Sequence, residues 1–144
     1  MVTNCPGNPL HSHGRKLTPQ RRLILQVILA CGDHLTAEEV HRRVKAHRPR
    51  LNLATVYRNL NMLAQLRLIG KVDLGDGRAR FEARTDHHHH LYCLSCGQII
   101  ELDSCPLERC IAPGFLVTSH KFEIQGYCSS CQAAKSSQPT EVNQ

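Results

Sequence analysis

Residues 52–65 read "NLATVYRNLNMLAQ". Leu53, Val56, Tyr57, Leu60, Leu63 and Ala64 recur at the i, i+3, i+4, i+7 spacing of one helix face, which predicts a helix buried along that stripe. Asn52 stands where a side-chain oxygen can cap the first turn. Thr55, Arg58, Asn59, Asn61 and Gln65 fall on the other face and point hydrogen-bonding groups outward.

Two more helices precede it. In "KLTPQRRLILQVILACGDH" Thr18 can cap a helix and Pro19 can occupy its first turn, where a missing N–H costs nothing, and Gly32 ends it. Thr36 and Glu39 make a capping box that opens "TAEEVHRRVKAH", with Ala37, Val40 and Val44 inward and Arg42, Arg43 and Lys45 outward, and Pro49 stops it. After the third helix, the alternating segments "KVDLG" and "RARFE" meet around Asp76-Gly77, a strong hairpin signal. Three helices followed by a hairpin describe a winged helix. In that architecture the third helix enters the DNA major groove and the hairpin lies along the backbone.

Charge agrees with this division. Residues 1–80 carry 14 Lys and Arg against 5 Asp and Glu, and residues 81–144 carry 4 against 7, so the +6 of the chain is a basic half joined to a slightly acidic one. A polyanion partner for the first half explains the asymmetry, and so does a solvated basic surface. On the DNA reading, Arg58 reads bases or phosphates, and Arg15, Lys16, Arg21 and Arg22 supply phosphate contacts at the start of the first helix.

At 144 residues the chain can hold one ordinary domain or two small ones with modest cores, which metals can reinforce. No apolar run approaches the roughly 20 residues that span a bilayer, and the first residues lack a secretory pattern, so a cytoplasmic protein is expected. In that compartment eight cysteines point to metal before disulfides. Cys93-x-x-Cys96 and Cys128-x-x-Cys131, 35 positions apart, each deliver two thiolates to one ion and predict a closed structural zinc site, with a small sheet filling the interval. A redox Cys-x-x-Cys would need a thioredoxin-like βαβ pattern, which is missing.

The segment leading into the first pair, His87 to Cys96, reads "HHHHLYCLSC". If it enters a strand, alternate side chains face opposite ways, so His88 and His90 share one side and His87 and His89 the other, and one run serves two sites. Glu82, Glu101, Glu108, His120 and His34 are candidate partners, and spacing does not choose among them; in "HKFEI" His120 shares a strand face with Phe122 and Ile124, so its default reading is a core histidine. Imidazole with carboxylate suits iron(II), manganese or zinc, whereas thiolate tilts a site toward zinc. Cys105 and Cys110, about 140° apart on a helix, are poorly placed for one ion and, with Cys5 and Cys31, read as ordinary thiols.

With "LTPQR", "HLTAEEV", "LATVYRNLNML", "GDGRARFE", "HHHHLYCLSCGQIIEL" and "CSSC" assembled, the chain resembles the ferric uptake regulator family from about Leu17 to Cys131. The resemblance implies an α+β protein: a winged-helix DNA-binding domain over 1–82, with 1–13 flexible, an α/β dimerisation domain over 83–132, and a flexible tail over 133–144. It implies a homodimer that represses transcription when loaded with metal, on double-stranded DNA with a palindromic AT-rich operator, with no membrane partner and no small-molecule substrate. Cys93, Cys96, Cys128 and Cys131 match the structural zinc ligands; His34, Glu82, His88, His90 and Glu101 match the regulatory site; His87, His89, Glu108 and His120 match an additional site. Arg15, Lys16, Arg21, Thr55, Tyr57 and Arg58 fall in its DNA-contacting segments.

The regulatory set, with no thiolate, resembles the iron sensors of the family, with Mn2+ or Zn2+ as other occupants. Zinc-uptake and peroxide-stress regulators are the family alternatives; the former often carry cysteine there, and the latter place aspartate where Glu101 stands. The segment between Glu108 and Gly114 is several residues shorter than the family's helix, which weighs against Glu108 meeting His120. A non-haem iron enzyme is the rival class, but five protein ligands leave little room for oxygen and a cosubstrate.

Overall fold

The computed structural model describes residues 18–105, 107, 112–120, 122 and 124–136. Cys5, Arg15, Lys16, Glu108 and Cys110 lie outside them, as do the stretches 1–13 and 137–144 that the sequence assigns to flexible ends. The chain forms two compact units, one ending at Asp86 and the other beginning at His87.

The first unit runs α1 (Pro19–Cys31), β1 (Leu35–Thr36), α2 (Ala37–Lys45), α3 (Leu53–Gln65), β2 (Gly70–Asp73) and β3 (Ala79–Glu82). The caps are those the sequence marks. Thr18 Oγ1 accepts from the Arg21 amide, Gly32 leaves α1 at φ 62°, and Asn52 Oδ1 accepts from the Thr55 amide. Thr36 and Glu39 bond reciprocally, Glu39 Oε2 accepting from the Thr36 amide at 2.8 Å and Thr36 Oγ1 from the Glu39 amide at 3.3 Å.

One element was not legible. Leu35 and Thr36 form a short strand that pairs antiparallel with β3, giving the sheet order β1-β3-β2. Phe81 on the central strand is therefore flanked by Leu35 and Lys71, and it is fully buried with Ile24, Ile28, Val40, Val44, Val56, Leu60 and Leu63. Side chains of this size each gain roughly 1.5–3 kcal/mol on full burial, which is what holds three short helices to a two-residue and two four-residue strands. The buried stripe of α3 is narrower at its start than the periodicity implies: Leu53 and Tyr57 stay substantially exposed, while Met62 is buried. The β2–β3 connection spans 74–78, longer than a two-residue turn, with Gly75 at φ 77° and Gly77 at φ 74°. Those left-handed angles are cheap only for glycine.

The second unit is a three-stranded sheet, β4 (His89–Cys93), β5 (Ile99–Leu102) and β6 (Ile124–Gly126), followed by α4 (Ser129–Ser136). Its order is β5-β4-β6, with β4 antiparallel to β5 and parallel to β6. Parallel neighbours need a long return, which residues 103–123 supply. α4 carries residues 133–136 as helix, where the sequence expectation starts a flexible tail.

Candidate metal centres

The second unit brings Cys93, Cys96, Cys128 and Cys131 together, with their four sulfurs within 4.8 Å of one another. β4 delivers Cys93, and the tight turn through Gly97 (φ 73°), closed by the Gly97 amide on the Cys93 carbonyl at 2.9 Å, delivers Cys96. Cys128 and Cys131 come from the start of α4. Cys96 and Cys128 Sγ are 3.7 Å apart. That is far beyond a disulfide of about 2.05 Å, and it matches the edge of about 3.8 Å of a sulfur tetrahedron around zinc with bonds of about 2.3 Å.

One of the four thiols is already held toward the thiolate form. The Cys128 amide, bonded to Cys93 Sγ at 3.3 Å, and then the Cys96 amide hold the Cys93 thiol down to about 6. The Gln98 amide favours a Cys96 thiolate too, but the crowding thiols of Cys93, Cys128 and Cys131 and burial outweigh it and push Cys96 up to about 11. Cys131 is likewise raised: Ser95 and Cys96 work against the rise, and Cys128, burial and Cys93 outweigh them. One anion is easy in this cluster and four need a central dication. The cluster fits structural zinc.

The histidine run divides as strand alternation requires. His88 Nε2 and His90 Nε2 lie 3.1 Å apart on one side of β4, and Glu101 stands directly opposite His90 on β5. On the other side, the His87 and His89 rings meet edge-on at 4.7 Å, and both pack on His120. His120 is no core histidine on a strand face; it precedes β6 and turns its Nε2 to within 3.4 Å of both His89 Nε2 and Cys105 Sγ. Burial, followed by the neighbouring imidazoles of His87 and His120, lowers the His89 pKa and keeps that ring in the neutral form that binds cations. Cys105, read from the sequence as an ordinary thiol, is the residue of this cluster that sequence reasoning left out.

In the first unit His34 Nε2 lies 3.0 Å from Glu82 Oε2, with both side chains less than a tenth exposed. A carboxylate at that depth needs a partner. Its space comes from Gly70, the cross-strand neighbour of Glu82: a Cβ at Gly70 would fall 2.7 Å from Glu82 Cγ and Oε1 and closer still to the Arg84 carbonyl.

The same unit carries the expected DNA-contacting face. Tyr57 and Arg58 are exposed on α3, with Thr55 half-buried beside them. Arg58 donates to Thr55 Oγ1 at 3.2 Å, and Arg21 Nε donates to Asn59 Oδ1 at 3.2 Å, which ties α1 to α3 at the polar face. Lys71 of β2 reaches Asn61 Oδ1 at 2.8 Å.

Comparison with known proteins agrees with this architecture. Residues 12–126 match the model of the ferric uptake regulator family. The chain is 39% identical over 132 residues to the ferric uptake regulation protein of Bacillus subtilis, covering 85% of this chain and 89% of that protein. It is 33% identical over 128 residues to the peroxide-responsive repressor PerR of Staphylococcus saprophyticus, covering 85% and 86%. Among solved structures, a ferric uptake regulator from Francisella tularensis with iron superposes at a TM-score of 0.72 and 28% identity over 83% of this chain and 96% of that one. Among the described residues, no helix is long and apolar enough to cross a membrane. The chain belongs to the ferric uptake regulator family, whose members are dimeric, DNA-binding, metal-responsive transcriptional regulators rather than enzymes.

Proposed function

We propose that this protein is an iron(II)-responsive, cytoplasmic repressor of iron-uptake genes that binds a palindromic AT-rich operator as a homodimer. The donor chemistry of the proposed regulatory set carries this reading: His34, Glu82, His88, His90 and Glu101 offer three imidazoles and two carboxylates without a thiol. Such a set suits iron(II) or manganese, whereas zinc sensors gain from sulfur.

In this proposal the ion supplies a double positive charge and a coordination sphere that accepts donors from both units. His34 and Glu82 then contribute from the DNA-binding unit, and His88, His90 and Glu101 from the dimerisation unit. Binding shifts the population toward the dimer shape in which all five donors are engaged, by the difference in affinity between the two shapes and no more. Tyr57 and Arg58 on each α3 face the operator, with Arg15, Lys16 and Arg21 on its phosphates.

The test is an anaerobic titration of operator binding with iron(II), manganese and zinc in turn, on the full chain and on His90→Ala. Iron(II) should tighten binding in the native chain and leave His90→Ala unresponsive. A response to zinc alone would make the protein a zinc regulator, and irreversible loss of iron-dependent binding after brief peroxide would make it a peroxide sensor. Equal operator affinity of His90→Ala and the native chain, with and without iron(II), would overturn the switch.

A further inference from the structure

We propose that His87, His89, Cys105 and His120 form a mixed imidazole–thiolate site for zinc(II), separate from the four-cysteine cluster and from the proposed regulatory donors. The four ligand atoms lie within 4.8 Å of one another, all within the second unit. Cys105 Sγ to His120 Nε2 and His120 Nε2 to His89 Nε2 are both 3.4 Å. A zinc tetrahedron with nitrogen bonds of about 2.0–2.1 Å and a sulfur bond of about 2.3 Å has edges of about 3.3–3.6 Å. The nitrogen–nitrogen separation matches its edge of about 3.3–3.4 Å, and the sulfur–nitrogen separation lies within about 0.2 Å of its edge of about 3.5–3.6 Å.

The convergence is poorly explained without a cation. Three neutral imidazoles each carry one donor and one acceptor nitrogen, and a thiol is a weak donor to any of them. Packing three rings at 4.6–5.2 Å around a sulfur gains less from hydrogen bonding than the same groups would find in water, so the cluster asks for a ligand. Cys105 is a free thiol, and four other cysteines account for the structural site.

The position of the sulfur decides the chemistry. The family resemblance places the carboxylate of Glu108 in this set, a hard donor compatible with iron or manganese. Here the ligand beside His120 is a thiolate, contributed from the segment after β5, and sulfur moves the preference to zinc and away from manganese and iron(II). On binding, the Cys105 S–H proton leaves to solvent and the sulfur lone pair enters the metal bond. Beside the cluster lies a cavity of about 480 Å³ walled by Val117, Thr118 and Ser119 with His87, Cys105 and His120 on its rim, so an ion can reach these donors without unfolding the sheet. This site is loaded and stripped under conditions that leave the zinc of the four-cysteine cluster in place.

The experiment uses the full chain, with zinc content followed by metal analysis. A mild chelator first removes exchangeable metal, leaving the structural zinc, and cobalt(II) is titrated as a spectroscopic stand-in. The native chain should develop thiolate-to-cobalt charge transfer and tetrahedral ligand-field absorption that added zinc(II) abolishes. Cys105→Ser should lose the charge-transfer absorption and bind zinc at this site at least about tenfold more weakly, the least expected when a ligand itself is removed. His87→Ala, a change at an exposed side chain, should weaken zinc similarly while the structural zinc stays in place, which shows that the fold is intact. Glu108→Gln should change neither signal, and His90→Ala should keep both, so failure here is distinguishable from failure of the iron switch. Unaltered absorption and zinc affinity in Cys105→Ser, or their loss in Glu108→Gln, would overturn the proposal.

Discussion

Phe81 is where the first unit closes. It sits on the central strand between Leu35 and Lys71, is fully buried, and receives the Tyr57 ring edge-on at a centroid distance of 6.4 Å. Phe81→Ala should cost about 3–5 kcal/mol, seen in urea unfolding as a lower midpoint at unchanged slope. At the four-cysteine cluster, Cys96→Ser leaves three thiols for one zinc; the protein should lose its tightly held zinc in metal analysis and its dimer in sedimentation. Single residues also show where sequence reading stops. The thiolate pairs print their purpose in their spacing, and the histidine run prints its two faces in strand alternation. Cys105 prints nothing: treated as part of a helix with Cys110 it looked inert, whereas the chain's return from β5 to β6 carries it beside His120, fifteen positions on.

The hairpin between β2 and β3 shows what local chemistry can and cannot specify. Asp73 and Asp76 accept backbone amides from Gly75 and Arg78, and the Arg80 guanidinium meets the Asp76 carboxylate at 3.0 and 2.7 Å. That Arg80 contact, partly offset by desolvation, holds the Asp76 carboxyl below its ordinary value. Because the folded pKa is depressed, the contribution is present above the ordinary carboxylate range near pH 3.8 and fades as pH falls through the lowered value. The pair is solvent-accessible, so screening keeps it under about 1 kcal/mol, and Asp76→Asn should lower thermal stability at neutral pH by no more than that and leave acid stability unchanged. The aspartates and glycines are readable as a turn, but the third strand from Leu35 and Thr36 depends on pairing partners more than forty positions away. On α3, Arg58→Ala should weaken operator binding at saturating metal by about 1–3 kcal/mol if it reads a base, checked by a binding isotherm against a scrambled duplex. Tyr57 falls on the apolar stripe that periodicity marks, yet it stays exposed on α3 while its ring meets Phe81 edge-on.

Over the whole chain, positive charge is concentrated in the first unit, and the four-cysteine cluster lies in the second. The basic half should give operator binding that falls steeply with salt, and the slope should drop by about one for each phosphate-contacting Arg or Lys replaced by Ala. Two-unit organisation was legible from charge asymmetry and from the change of motif type. The return of the sheet's last strand alongside its first was not, since parallel pairing across a long connection leaves no local signature. β4 is hydrogen-bonded on both edges, antiparallel to β5 and parallel to β6, and four consecutive histidines lead into it. Sliding that strand by one position against its neighbours would send each imidazole to the opposite surface and exchange odd-numbered with even-numbered donors. In the two proposed sites, the cation each pocket accepts would thus be decided by strand alignment as much as by side-chain identity, with the ladders on either edge acting as a selectivity device without touching an ion.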